Sequence, residues 1–272
     1  MPLDYATPGP FTDLETVGEA LLPPSAASVV ETCAVVSGLI VEPDDARAAG
    51  VAEERLEERQ LRSASAIVAR LLEISPQPLS VGRPPAQRVV GTCRHFALIA
   101  CALLRHQHLA SRARCGFATY FQPGRAVDHW IVEYLADDRW VRLDPEVLGG
   151  SVIAHADDLR PADFLSGADA WLGYRAGQID PDRFGVYGTE NWGLGEIRGN
   201  LVRDLAALNK IETLPWDDWG RMPAGYDNTA GADYDELLDR CAQSCANDDH
   251  EAIVGLFAER DLRVPSELVE SL

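Results

Sequence analysis

In the run GTCRHFALIACALLRHQ, the residues Phe96, Leu98, Ile99, Ala100, Cys101, Ala102, Leu103 and Leu104 point apolar side chains in nearly every direction around a helix. Such a helix cannot lie on a surface; other elements have to wrap it. Thr92, just upstream, is suited to be an N-cap, which puts Cys93 at the first helical position. There the unpaired amides and the positive end of the helix dipole favour a thiolate, and the same amides can receive an oxyanion. Cys101, in mid-helix, lacks that help and reads as an inert core thiol.

What wraps the helix follows it in the chain. CGFATYF (115–121), HWIVEYL (129–135) and WVRLD (140–144) are aromatic and β-branched runs joined by short turns, the pattern of an antiparallel meander. If Asp137-Asp138 closes the second hairpin with Leu135 opposite Trp140, paired residue numbers sum to 275. Glu133 then faces Arg142 and Ile131 faces Asp144, so His129 lies diagonal to Asp144 on one face. A slip of one residue would separate them onto opposite faces. The opposite charges of Glu133 and Arg142 favour the productive register. A helix-start Cys, a strand His and an Asp on the next strand fit a nucleophile, a base and the group that orients it.

Around this core, helices are expected over 12–22 and 25–40, split by Pro23-Pro24. Apolar positions from Val51 to Ile74 recur at helical spacing, with EERLEER as a solvated face carrying a Glu58–Arg62 pair. Pro and Gly break the chain over about ten residues after Ile74. Later helices are expected at 200–212, 234–246 and 249–260. The order of helices, central buried helix and antiparallel strands is α+β. The expected division is a domain over 1–222, with its core at 88–147, and a helical appendage over 223–272 packed on it.

A net charge of −19 gives no basic footprint for nucleic acid and disfavours anionic membranes. No window approaches 18 uninterrupted apolar residues, and the first residues lack a basic stretch followed by an apolar one. Six cysteines in such a chain read as reduced thiols, so a cytoplasmic location is expected. Lys210 is the one lysine, which makes the protein a poor amine donor to itself.

The segments GTCRHFALIACALLR, ARCGFATYF, DHWIVEY and RWVRLDPE resemble the core of the transglutaminase-like superfamily, with flanking parts similar to bacterial members. That resemblance implies a papain-like fold in which Cys93 is the nucleophile, His129 the general base and then acid, and Asp144 the orienting group. The spacings, 36 from Cys93 to His129 and 15 from His129 to Asp144, suit it. By analogy with papain-like enzymes, Gln87, six residues before Cys93, is the candidate second oxyanion donor.

The expected activity is attack on an amide or peptide carbonyl through a thioester, most simply hydrolytic, with no cofactor and no metal. Transfer of the acyl group to an amine is the alternative, and a peptide-binding module retaining the cleft is the non-catalytic one. The expected partner is a protein, peptide or small amide substrate. Trp192 and Trp216, in GTENWGLG and WDDWG, are candidate cleft walls. His95 falls about 200° around the helix from Cys93 and reads as structural, and Trp130 faces away from His129 into the core. Cys241 and Cys245, one turn apart without neighbouring His, read as helix-face thiols rather than zinc ligands.

Overall fold

The computed structural model describes residues 3–270. Its elements, in chain order, begin with α1 (Val29–Ala34), β1 (Ile40–Val41), α2 (Pro43–Ala48), α3 (Ala64–Ile74), β2 (Val89–Val90) and α4 (Cys93–His106). Strands β3 (Ser111–Ala118), β4 (Ala126–Ala136), β5 (Arg139–Leu143) and β6 (Phe164–Ser166) follow, then α5 (Gly167–Arg175) and β7 (Phe184–Gly185). The chain continues with α6 (Leu194–Leu208), α7 (Met222–Tyr226), α8 (Ala232–Ala246), α9 (His250–Phe257) and α10 (Ser266–Glu270). Two compact units result, one of residues 4–113 with 131–159, the other of residues 114–130 with 160–270. Strands β3 and β4 each run from one into the other.

The mixed helix and sheet architecture is α+β, as expected. Five strands form one sheet in the order β5-β4-β3-β6, with β7 added parallel to β4, and β1 pairs with β2 in a separate parallel pair. The β4–β5 register is the expected one, with Glu133 opposite Arg142 and Leu135 opposite Trp140. Asp137 and Asp138 have φ of 47° and 65°, the two left-handed positions of a type I′ turn, whose twist matches that of paired strands.

In the first unit α4 is the buried rod that its composition dictates: every residue from Arg94 to Arg105 is buried. Burying a guanidinium demands partners. Arg105 gives its Nε–H to the Ser111 carbonyl (3.0 Å) and an Nη1 hydrogen to Thr12 Oγ1 (2.8 Å). In the second unit α5, α6, α8 and α9 surround an apolar core that includes Trp171, Leu201, Leu205, Leu238 and Ile253.

Several flanking expectations give way. Over 12–22 only a 3-10 turn, Glu19–Leu21, forms. Thr12 and Asp13 accept from the amides of Gly9 and Glu15, side-chain bonds that compete with helix. The segment 25–40 divides into α1, a 3-10 turn and β1. Between 51 and 74, a 3-10 stretch, Glu53–Gln60, is separated from α3 by Ser63, whose Oγ caps α3 at Ala66.

Glu58 is buried rather than solvated and does not pair with Arg62. Its carboxylate accepts from Arg55 (2.8 and 3.0 Å), Arg70 (2.9 Å) and the Val90 amide (2.9 Å). Strand β3 begins at Ser111, earlier than its aromatic run. Arg112 and Arg114 are buried there because Glu133 (2.7 Å) and Asp204 (2.8 and 2.9 Å) neutralise them. Helix α6 starts at Leu194, six residues early, through two glycines that argue against helix in sequence. A Cβ at Gly199 would collide with the Tyr226 hydroxyl, so packing explains that glycine.

Candidate active site

Cys93 opens α4, with Thr92 extended (φ −110°, ψ 178°) as its N-cap. Of the six cysteines, Cys33, Cys101, Cys115, Cys241 and Cys245 are buried and Cys93 is half-buried. Burial pushes the Cys33 and Cys115 thiols up, and hydrogen bonding to Cys245 followed by burial does so for Cys241. Accessibility and the helix N-terminus coincide at one sulfur.

The approach to that sulfur is fixed by backbone. Strand β2 bonds to β1, and the Gly91 amide donates to the Val41 carbonyl (3.0 Å). A Cβ at Gly91 would lie 2.8 Å from the His95 ring base, so only glycine fits. His95 is fully buried. Its Nδ1 accepts from the Thr92 amide (3.1 Å), which leaves Nε2–H to donate to the Leu61 carbonyl (3.1 Å). Burial, then the neighbouring Arg94, lowers its pKa to about 3. His95 therefore holds the loop as a neutral imidazole.

His129 is carried by β4 and is 2% exposed. The rings of Phe121 and Tyr120 meet it edge-on at 4.9 and 6.2 Å between centroids, which restricts its tilt. Trp130, the next residue and so on the opposite face, is fully buried.

Asp144, directly after β5, is also fully buried, and its amide donates to the Ala156 carbonyl (2.8 Å). Its Oδ1 accepts from the Glu146 amide (2.9 Å), an Asx turn across Pro145. That turn sets the direction of Glu146. The Cys93 sulfur, a His129 ring nitrogen and a Glu146 carboxylate oxygen all lie within 4.8 Å of one another. A thiol, an imidazole and a carboxylate grouped this closely exchange a proton and stabilise the resulting charges once they close to hydrogen-bond distance. The same three atoms are also a donor set that zinc accepts, with one position open.

Glu146 carried no role in the sequence reading, nor did Glu42. Burial, then the nearby Glu146 carboxylate, raises Glu42 well above the usual carboxylate range. The only sequence signal for Glu146 was its place two residues beyond an Asp-Pro, where Asx turns form.

Gln87 is exposed, at the end of the 3-10 turn Pro85–Gln87. Trp192 is pinned, with its Nε1–H on the Thr189 carbonyl (3.0 Å) and Arg125 stacked 4.3 Å above its ring. Trp216 is 40% exposed and borders a cavity in the unit of residues 114–130 and 160–270. Among the described residues no helix is long and apolar enough to cross a membrane.

Compared with known proteins, residues 47–145 match the family described as the transglutaminase-like superfamily. Cys93, His129 and Asp144 all fall within that span. No curated protein and no solved structure gave a match.

Proposed function

Because residues 47–145 match the transglutaminase-like superfamily, we propose that this chain is a thiol enzyme acting on an amide or peptide carbonyl through Cys93, His129 and Asp144. His129 takes the thiol proton, and the Cys93 thiolate adds to the carbonyl carbon. The tetrahedral intermediate collapses as His129 returns the proton to the departing amine, leaving a thioester. Water, deprotonated by His129, then releases the carboxylic acid and restores the thiol. Asp144 holds the imidazole in the tautomer that presents a nitrogen to sulfur.

The observation that carries the reading is the coincidence, at Cys93, of half-exposure, a helix N-terminus and a ring nitrogen within 4.8 Å. The Cys93 amide serves as one oxyanion donor. Gln87 is carried as the second, and its replacement by Ala should cost about 100-fold in kcat. Amine transfer is the second reading, favoured by the Glu146 carboxylate, which would draw a cationic acceptor toward the thioester.

The test is acyl-enzyme trapping. Wild type, Cys93→Ala and His129→Ala are incubated with an extract-derived peptide pool, acid-quenched and analysed by intact mass and peptide mapping. The expected result is an adduct on Cys93 in wild type and in neither variant. Added amine that shifts product from acid to amide identifies transfer. An adduct that persists in Cys93→Ala, or tight stoichiometric zinc that Cys93→Ala abolishes with no adduct in wild type, overturns the proposal.

A further inference from the structure

Within the unit of residues 114–130 and 160–270 lies a cavity of about 460 Å³, a size typical of small-molecule sites. Its lining includes Asp128, Glu196, Arg203, Trp216, Asp218 and Tyr226. From this cavity we infer a binding site for a small organic ammonium ion, a primary amine or diamine, held by carboxylates against aromatic walls. The inference goes beyond the proposed reaction and does not depend on it.

One helix face builds the site. Glu196, Asn200 and Arg203 recur at spacings of four and three on α6, a polar stripe on a helix otherwise buried in the apolar core. Burying such a stripe is costly, and the protein pairs most of it. Arg203 gives Nη2 hydrogens to Asp218 Oδ1 (2.9 Å), the Tyr226 hydroxyl (3.0 Å) and the Asp217 carbonyl (3.3 Å). Its Nη1 reaches Asn200 Oδ1 (3.4 Å). Both Nη groups are therefore occupied with protein acceptors, and only the buried Nε lacks one.

The acceptors are in surplus. The Asn200 Nδ2–H donates to one oxygen of Asp128, Oδ1 (2.7 Å), and among the described residues no side chain bonds the Glu196 carboxylate. Three carboxylates against one guanidinium leave the lining acidic, which repels carboxylates and phosphates. The aromatic faces of Tyr226 and Trp216 suit an ammonium head and its alkyl stem. A metal ion fits less well. Among the described residues the acidic groups whose ligand atoms converge within 4.8 Å are those with Cys93 and His129, not the three of this cavity. Burial, then Asp128 and Asp218 acting against Arg203, push Glu196 up to about 7, which adds a pH signature.

Isothermal titration of the full chain at constant ionic strength tests the site. The probes are 1,4-diaminobutane, butylamine, 1-butanol and butyrate. Saturable one-site binding of the two amines at pH 8 is expected, with neither 1-butanol nor butyrate binding. Affinity should fall about tenfold in Glu196→Gln and in Asp128→Asn, and should fall in wild type as pH drops from 8 to 6. Cys93→Ala should bind amines as wild type does, which separates this site from the thioester reaction. Glu196 is only part-buried, so Glu196→Gln keeps the fold should Asp128→Asn lose it. Non-saturable amine binding, binding equal in wild type and Glu196→Gln, or equal heat from 1-butanol overturns the inference.

Discussion

His95 stands two residues past Cys93 and never needs to react; its task is to stay neutral. Its folded pKa of about 3 lies below the ordinary 6.5, so the unfolded chain binds the proton first as pH falls. His95 therefore contributes stability that is fully present above pH 6.5 and is lost progressively as pH falls toward 3. Between pH 7 and pH 5 that loss is about 2 kcal/mol. Denaturant midpoints of wild type and His95→Gln should converge as pH falls across that range; parallel curves would contradict the account. Glu196, shifted the other way, affects both proteins alike and drops out of the difference. At this scale Cys93, His129 and Asp144 are each ordinary as packing residues, and only their conjunction, a helix-start thiol with a His and an Asp in one strand register, pointed to a nucleophile, a base and an orienting group. Glu146 and Glu42 stayed silent, since an acidic residue after Asp-Pro or before a Pro-started helix has an ordinary local reason to be there.

At the scale of elements, the β4–β5 hairpin fixes the register of the strand that carries His129. Glu133 is 2% exposed between Arg112 (2.7 Å) and Arg142 (3.1 Å), and Arg112 in turn lies 3.9 Å above the Trp140 ring. Glu133→Ala leaves two cations uncompensated and should cost about 3–5 kcal/mol in equilibrium unfolding, with Glu133→Gln milder. Asp138, at φ 65°, pays the left-handed cost that glycine avoids. Asp138→Gly should stabilise the protein by about 0.5–1 kcal/mol, read as a higher denaturant midpoint. The hairpin was legible because period 2 and one charge pair select a single register. The stretch before α4 was not. Its apolar spacing suits one helix, but Ser63 caps a new one and Glu58 turns inward to bind the Val90 amide. Long-range pairing of that kind leaves no mark on local spacing.

For the whole molecule, the negative charge and the distribution of thiols set the chemistry available. Five cysteines packed in cores and one half-exposed at a helix start make the protein a selective thiol reagent under native conditions. The charge of −19 should favour cationic substrates over anionic ones, an effect that fades as salt rises from 0.05 to about 0.5 M. Peptide substrates with basic flanks should lose kcat/KM over that range while neutral ones hold steady. The central claim, that Cys93 is a nucleophile activated by His129, is tested most directly by brief native iodoacetamide labelling, mapped by mass spectrometry across pH. The account predicts one fast site, Cys93, with a rate that stays high below pH 7 in wild type and drops in His129→Ala. A Cys93 that labels no faster than Cys241 or Cys245 would contradict it.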